Sequence, residues 1–333
     1  MATPFPTAEM PSMMYGTAWK EERTADLVYE AIKAGFRGID TAAMKKHYNE
    51  AGVGEGIRRA ISEGICSRKD LFIQTKFSPM DNTSDYSPTD PLPTQIHASI
   101  ISSLTNLSTP DHSPPYLDAL VLHSPFPTIP ETLDAWAVLQ SYLPSSSSSS
   151  PNANKILSLG ISNTTLPILQ ALSTPTHPVS GVPLTPPAIV QNRLRAAERV
   201  WDVDVRNWVA EQNNNNQNPP TGRRTKTTYQ AFWTLTANPS LWHPQTAPPF
   251  IRSVAEGAGV SLAGAWYAWL IIEGGVTVLN GTTSVGEKGH MREDLEVVGM
   301  VERWKGTVEG SRVWGELGKG FWGVVGGRSV TGG

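Results

Sequence analysis

Four side chains in this sequence have types that could combine in proton transfer, namely Asp40, Tyr48, Lys76 and His123. A phenol with an ordinary pKa of about 10 transfers protons poorly near neutral pH unless a cation lies beside it. A lysine ammonium can lower the pKa of a neighbouring phenol or hold a proton relay. Alone, a tyrosine usually packs and a histidine usually makes a structural hydrogen bond, so the chemistry requires that the fold brings all four together.

The elements that would position these residues alternate between short β-rich runs and amphipathic helical stretches. This alternation favours parallel strands joined by right-handed crossovers, and eight repeats predict a single-domain α/β fold, the (β/α)8 TIM barrel. Strands are predicted at MMYGTA near the start and at 36–40, 71–76, 117–124, 156–162, 187–192, 225–232 and 276–281.

A doubly wound open sheet is the alternative fold. It usually carries a GxGxxG motif directly after its first strand, where it binds a dinucleotide. Here GTAWKEE follows the first strand, and the nearest glycine cluster, at 52–56, opens no turn of that kind. The barrel is therefore the favoured prediction.

Polar residues end seven of the predicted strands, and in such a barrel the carboxyl ends of the strands carry the chemistry. A single polar strand end is explained by the turn that follows it, whereas seven would converge on one pocket. Asp40 and Lys76, on adjacent strands, would lie within ion-pair distance, although such a pair could also be a structural salt bridge. The strand-end residues are Asp40, Lys76, His123, Ser162 with Asn163, Gln191 with Asn192, Tyr229 with Gln230, and Thr282 with Thr283.

The segment DTAAMKKHYNEAGVGEGIRRAI, residues 40–61, resembles the aldo-keto reductase signature. In that signature a strand-end Asp precedes a Tyr with an Asn-Glu-like stretch and a helix that contains Val-Gly. The resemblance spans about residues 12–300, and the spacing from Asp40 to Tyr48 is longer than in many members. It continues at IQTK, LVLHSP, LGISN, IVQN and YQAFWTLTAN, the last of which is similar to fungal members.

This resemblance implies an NAD(P)H-dependent oxidoreductase that reduces an aldehyde or ketone to an alcohol without a metal ion. It implies that Tyr48 is the general acid, that Lys76 lowers its pKa, and that Asp40 orients Lys76. It also implies that His123 orients the carbonyl group of the substrate. The binding partner that it implies is the substrate, a small-molecule carbonyl compound.

The same resemblance implies the residues that bind the cofactor. Ser162, Asn163 and Gln191 would hold the nicotinamide carboxamide, and the ring would lie on Tyr229. NADPH is the favoured cofactor. NADH stays the alternative because Gly281 and His290 stand where many NADPH-specific members have Lys and Arg. The adenosine end would contact Thr282, Lys288, Arg292, Glu293 and Asp294.

Composition excludes several other classes of protein. The 27 basic and 30 acidic residues give a formal charge of −3, which provides no basic field for nucleic acid. One cysteine, Cys66, excludes an internal disulfide framework and a thiolate zinc cluster. The seven histidines show neither HExxH nor paired HxH spacing, which argues against a metal-dependent barrel hydrolase. We expect a cytoplasmic monomer without a signal peptide or membrane span.

Three segments stand apart within the predicted single domain, residues 1–333. Low-complexity loop insertions are predicted at 144–154 and 212–224. A C-terminal tail from about residue 308 either covers the barrel mouth, with Trp314 and Trp322 as substrate contacts, or is a loosely docked terminus. The alternative function on this fold is an NADPH-binding regulatory or redox-sensing subunit, against which the complete set of four residues argues.

Overall fold

The computed structural model describes residues 8–79, 86–144, 152–196, 201–215, 226–286 and 289–326. Eight strands follow one another from β1 to β8 in a closed barrel, which confirms the predicted (β/α)8 fold. The strands are β1 Met13–Gly16, β2 Gly38–Asp40, β3 Phe72–Phe77, β4 Ala119–Leu122, β5 Leu159–Ser162, β6 Ile189–Arg193, β7 Thr228–Phe232 and β8 Thr277–Asn280. By their internal contacts, Met1–Gln191 and Asn192–Gly333 form two compact units. The single-domain organisation stays a prediction.

Helices follow most of the strands, as the periodicity of the sequence predicts. In the first unit they are α1 Thr24–Ala34, α2 Glu50–Ser62, α3 Leu92–Asn106, α4 Ile129–Leu139 and α5 Leu166–Leu172. In the second unit they are α6 Val203–Asn215, α7 Pro239–Trp242, α8 Pro249–Ala258, α9 Leu262–Ala268, α10 His290–Lys305 and α11 Val308–Val325. Within the described ranges, no helix is both long enough and apolar enough to cross a membrane.

In the first unit, parallel pairing of β1 to β6 brings the predicted strand ends to one edge. Asp40 is in register with Gln74, Lys76 with Val121, and Ser162 with Gln191. All residues of β2 to β5 are buried, as expected for strands that are covered on both sides. The strand pairing therefore places the Asp40 and Lys76 side chains on neighbouring strands, as predicted.

The glycine cluster at 52–56 lies inside α2 and serves close helix packing. A Cβ atom on Gly54 would lie 1.8 Å from the carbonyl oxygen of Asn106, the last residue of α3. A Cβ atom on Gly56 would lie 2.5 Å from the carbonyl oxygen of Ala25, in α1. These glycines therefore allow neighbouring backbones to approach, and they lie within a helix and not in a turn after the first strand.

In the second unit, the segment predicted as a tail forms the 18-residue helix α11. Trp314 stacks on Trp269 with 3.8 Å between ring centroids, and Trp269 belongs to the π-helical turn Trp269–Glu273 after α9. Trp314 and Trp322 both donate their indole N–H to Glu273, over 3.1 and 3.0 Å. The interpretation as a loosely docked terminus is therefore wrong, while a substrate contact stays a prediction.

Both predicted loop insertions fall largely outside the described residues, which omit 145–151 and 216–225. The second insertion was predicted to begin at 212, but α6 continues to Asn215. Asn213, inside α6, contacts the main chain of Thr227: its Oδ1 accepts from the Thr227 amide over 2.8 Å and its Nδ2 donates to the Thr227 carbonyl over 2.9 Å. The asparagine run therefore begins inside a helix.

Candidate active site

A buried ion pair joins the carboxyl ends of β2 and β3. The Lys76 ammonium donates to Oδ1 and Oδ2 of Asp40 over 2.8 and 2.7 Å, and to the Thr41 carbonyl over 2.8 Å. Lys76 is 1% exposed and Asp40 is 2% exposed. Charge-assisted hydrogen bonds of this length, accepted by both carboxylate oxygens, fix the ammonium in one position.

Two amide side chains also bind the Asp40 carboxylate. Gln74 donates from Nε2 to Oδ1 over 2.7 Å, and Gln191 donates from Nε2 to the same oxygen over 3.1 Å. Gln74 is fully buried and lies two residues before Lys76, so alternation along β3 places both side chains on one face. Gln74 was not selected from the sequence, although its spacing of two residues from Lys76 was the available signal.

Tyr48 lies beside this ion pair, at the turn that leads into α2. The Lys76 ammonium is 5.2 Å from the centroid of the Tyr48 ring, and the His123 ring meets the Tyr48 ring edge-on at 5.9 Å. The next residue, Asn49, caps α2 by accepting a hydrogen bond from the Gly52 amide over 2.9 Å. The helix cap therefore fixes the main chain directly after the phenol.

Opposing influences act on the phenol and the ammonium. Burial raises the pKa of Tyr48 above its ordinary value of 10, the Lys76 charge acts to lower it, and the Asp40 charge acts to raise it. Burial acts to lower the pKa of Lys76, but its electrostatic and hydrogen-bond interactions with Asp40 and Tyr48 together outweigh burial and leave that pKa raised. Lys76 therefore stays charged and Tyr48 stays protonated, and the net shift at Tyr48 is upward despite the lysine.

A second buried carboxylate, Glu50, links the start of α2 to β3 and α3. It accepts hydrogen bonds from Thr75 over 2.5 Å, from Ser103 over 2.9 Å and from Asn106 over 3.1 Å. Thr75 is the residue before Lys76 and projects to the opposite face of β3. Glu50 thus connects the segment that carries Tyr48 to the strand that carries Lys76.

His123 directly follows β4, and both its main chain and its ring are fixed. Its amide donates to the Phe77 carbonyl over 2.8 Å, and its carbonyl accepts from Nδ2 of Asn163 over 2.9 Å. Nδ1 of the ring lies 2.7 Å from Oγ of Ser78, the residue after β3. The predicted site residues Asp40, Tyr48, Lys76 and His123 are therefore neighbours in the structure.

The residues predicted to hold the carboxamide also lie together. Ser162 Oγ lies 3.5 Å from Oε1 of Gln191, and Nδ2 of Asn163 lies 3.3 Å from Ser162 Oγ. Asn163 has a φ of +53°, a left-handed conformation that asparagine tolerates. This set of hydroxyl and amide groups offers both donors and acceptors, as recognition of a carboxamide requires. Gln191 joins it to Asp40.

In the second unit, Tyr229 is 4% exposed and its hydroxyl group is engaged. It donates to Oδ2 of Asp202 over 2.7 Å, and the Trp201 ring lies edge-on to it at 5.5 Å. Nδ2 of Asn192 donates to the same Asp202 oxygen over 2.7 Å. Alternation along β7 places Phe232, the last residue of the strand, on the face opposite Tyr229.

The segment after β8 is organised by Asn280. Its Oδ1 accepts from the Thr282 amide over 2.8 Å, and its Nδ2 donates to Oδ2 of Asp294 over 2.7 Å. Burial raises the pKa of Asp294 to about 6. Glu293 lies 3.3 Å from the ring of His290 at the surface, and Arg292 is exposed. Lys288 lies outside the described residues.

Family membership follows from the sequence as a whole. Residues 12–296 match the sequence model of the Aldo/keto reductase family. The chain belongs to this family.

In the part of the chain that the structure describes, no three His, Cys, Asp or Glu side chains are grouped so that they could hold a metal ion.

Several sugar reductases are similar to this aldo/keto reductase over part of their length. The NAD(P)H-dependent D-xylose reductase I,II of Candida tropicalis is 31% identical over 183 residues, which are 47% of this chain and 49% of that protein. The NAD(P)H-dependent D-xylose reductase of Pachysolen tannophilus is 55% identical over 58 residues, 17% of this chain and 18% of that protein. The matches thus span half of these relatives or less.

Solved structures of aldo/keto reductases share the fold over most of the chain. An aldo-keto reductase complexed with NADPH has a TM-score of 0.65 and 17% identity, and the match covers 95% of this chain and 89% of that chain. The aldose reductase from Schistosoma japonicum has a TM-score of 0.63 and 18% identity, over 92% and 89% of the two chains. These likenesses confirm the predicted barrel.

Proposed function

We propose that this aldo/keto reductase reduces an aldehyde or ketone to an alcohol with NADPH, or NADH, as the hydride donor. The observation that carries the proposal is a protonated phenol, Tyr48, between the buried ion pair of Lys76 with Asp40 and the ring of His123. A simple salt bridge would not need a half-buried phenol and an imidazole beside it. Because the sequence matches cover the relatives only in part, the proposed activity is supported by this site and not by the relatives alone.

Tyr48 acts as the general acid in this proposal. As the carbonyl carbon is reduced, its oxygen develops the charge of an alkoxide, which is far more basic than a phenolate. Tyr48 passes its proton to that oxygen, and the resulting phenolate charge lies beside the Lys76 ammonium. Asp40 keeps the ammonium in place, and His123 orients the carbonyl oxygen. The reduced nicotinamide, when bound, supplies the hydride.

The donor set of Ser162, Asn163 and Gln191 supports the carboxamide contact. For the nicotinamide ring, Tyr229 stays a prediction, but the bond from its hydroxyl to Asp202 and its 4% exposure favour Phe232 for the same contact. Phe232 ends β7 and is less buried, so it offers a flat apolar surface at the carboxyl end of the strand.

For the adenosine end of the cofactor, we propose Thr282, Lys288, Arg292 and Glu293 as contacts, with the positive charges suited to a 2′-phosphate. Asp294 was predicted to contact adenine. Its buried carboxylate accepts the hydrogen bond from Asn280, which favours a role in holding the segment that carries Thr282. An adenine contact by Asp294 stays a prediction.

The names of the relatives guide the choice of substrates. Because several are named D-xylose or aldose reductases, we propose aldoses as the first carbonyl compounds to test. We further propose that the protein is a cytoplasmic monomer whose partner is the small-molecule substrate, and not nucleic acid or a membrane. The formal charge of −3 supports the exclusion of nucleic acid.

The proposal is tested by following NADPH and NADH oxidation by the purified full-length chain with aldoses and with aromatic and aliphatic aldehydes and ketones. A titration of cofactor binding accompanies it. We expect turnover with at least one class, and loss of that turnover in Tyr48→Phe with the cofactor affinity retained. Tight cofactor binding without turnover of any carbonyl compound would contradict the reductase and favour the regulatory or redox-sensing alternative.

A further inference from the structure

The buried residue Ser78 makes a partly buried hydrogen bond to the ring of His123. Its Oγ lies 2.7 Å from Nδ1 of the imidazole, and the residue is 1% exposed. Ser78 itself is fixed because its carbonyl accepts a hydrogen bond from the Tyr86 hydroxyl and because it directly follows β3. The serine therefore has a defined position relative to the imidazole.

The direction of this bond follows from the number of acceptors. Either the Ser78 hydroxyl donates to an unprotonated Nδ1, or a protonated Nδ1 donates to the serine oxygen. In the second arrangement the hydroxyl proton needs another acceptor. Among the residues that the structure describes, the only partner of the Ser78 hydroxyl is Nδ1 of His123. A buried donor left without a partner costs about 1–3 kcal/mol, so the first arrangement is favoured.

We propose that Ser78 is a positioning residue that keeps His123 in the tautomer protonated at Nε2. The neutral imidazole carries one proton, and an Nδ1 that accepts from Ser78 leaves that proton on Nε2. The importance of this tautomer rests on the proposed function, in which His123 orients the carbonyl oxygen by donating a hydrogen bond. The opposite tautomer would present a lone pair to that oxygen and repel it.

The tautomer also defines what the site accepts. With Nε2 protonated, His123 and Tyr48 are both donors, and their rings are neighbours at 5.9 Å. Two donors side by side match an oxygen with two lone pairs, as in a carbonyl group or a developing alkoxide. Ser78 thus makes the site selective for an acceptor atom, although it lies behind the imidazole and does not touch the substrate.

The tautomer can be observed without turnover. Long-range proton–nitrogen NMR spectra of the cofactor-free protein, labelled with ¹⁵N at histidine, distinguish the two neutral tautomers, and His123→Gln assigns the signals. We expect His123 to be protonated at Nε2 in the wild type and to show a mixture of tautomers in Ser78→Ala. Ser158→Ala is the matched control, because it removes a hydroxyl that donates to the Asp118 carbonyl over 2.7 Å. A wild-type spectrum of the Nδ1-protonated form would overturn the proposal even if Ser78→Ala fails to fold.

Kinetics supply the second measurement. We expect Ser78→Ala to lower kcat/KM for the carbonyl substrate about tenfold or more. The hydrogen bond from Nε2 stabilises the developing alkoxide in the transition state, and the variant loses part of that stabilisation. The Kd for NADPH should change less than about twofold, and Ser78→Thr, which keeps the hydroxyl, should recover much of the loss. If the wild type reduces no carbonyl compound, the proposed function fails while the NMR result still decides the role of Ser78. If Ser78→Ala keeps both the turnover and the tautomer, only the inference fails.

Discussion

Gln74 donates a hydrogen bond over 2.7 Å to Oδ1 of Asp40, the oxygen that also accepts from Lys76 over 2.8 Å. The carboxylate is therefore oriented from two sides, by an amide and by an ammonium. Gln191 donates to the same oxygen over 3.1 Å, so a residue proposed to hold the cofactor also contacts the ion pair. Changes at either glutamine should reach Tyr48 through Asp40 and Lys76.

The first prediction concerns Gln74. Gln74→Met keeps the length of the side chain but removes the donor, so Asp40 and Lys76 lose part of their fixed geometry. We expect kcat/KM to fall about tenfold with little change in the Kd for NADPH. Steady-state kinetics and a cofactor titration test this expectation. The control is Gln95→Met, in which a buried glutamine loses its bonds to the carbonyls of Pro88 and Asp90. Equal losses in both variants would show a general effect of a buried glutamine.

The second prediction concerns the phenol. Tyr48→Phe removes the proton donor and should lower kcat by several orders of magnitude while the cofactor still binds. Tyr29→Phe is the matched control, because it removes a hydroxyl that donates to Glu63 over 2.6 Å at a different place on the first unit. Stopped-flow measurement of NADPH oxidation separates the chemical step from product release. Unchanged turnover in Tyr48→Phe would exclude this residue as the acid.

The third prediction separates the charge of Lys76 from its effect on stability. Lys76→Met leaves the Asp40 carboxylate buried without its cation, which should cost about 3–5 kcal/mol of unfolding free energy. Adding Asp40→Asn removes the uncompensated charge, so the double variant should recover much of that stability but none of the activity. Urea unfolding and kinetics on the same preparations test both halves. Recovery of activity in the double variant would contradict the role of the ammonium.

The fold was accessible from the sequence because it depends on regular patterns. Each observed strand lies within one residue of a predicted run, since buried parallel strands are short apolar stretches between helices with polar punctuation. The helix α11 was not predicted, because its glycines weaken helix propensity and its support comes from Trp269 and Glu273, far away in the chain. Tertiary packing, which a local pattern does not contain, decides such an element.

The candidate site divides in the same way. Asp40, Tyr48, Lys76 and His123 could be selected because each is a chemically distinctive residue in a recognisable motif. Gln74, Glu50, Ser78 and Asp202 act through hydrogen bonds to partners that the sequence does not identify. Their residue types are common on any protein, so only their three-dimensional placement distinguishes them.

The fourth prediction compares the two aromatic residues of β7. If Phe232 carries the nicotinamide ring, Phe232→Leu should weaken NADPH binding about fivefold, because a flat ring contact of roughly 1 kcal/mol is lost. Tyr229→Phe removes only the bond to Asp202 and should leave binding nearly unchanged while it lowers the Tm. Fluorescence titration and thermal unfolding give both values. The reverse order of affinities would support Tyr229 as the ring contact.

The fifth prediction is a pH dependence of stability at Asp294. Burial raises its pKa from 3.8 to about 6, so the folded protein holds a proton that the unfolded chain has already released between these values. The stabilising contribution is complete below pH 3.8 and is lost as the pH rises through about 6. Asp294→Asn stays neutral and can still accept from Asn280. We therefore expect this variant to gain stability relative to the wild type as the pH rises from about 4 to 7.

The gain should level off above about pH 7, at no more than about 3 kcal/mol, because two pKa units correspond to roughly that free energy. Urea unfolding of the cofactor-free protein at a series of pH values measures it. Glu293→Gln is the matched control: it removes the neighbouring carboxylate, which is partly exposed and lies beside His290. Its stability difference from the wild type should vary much less with pH. Parallel pH profiles for Asp294→Asn and the wild type would contradict the prediction, because they would show that the Asp294 carboxyl titrates as it does in water and that the hydrogen bond from Asn280 offsets burial.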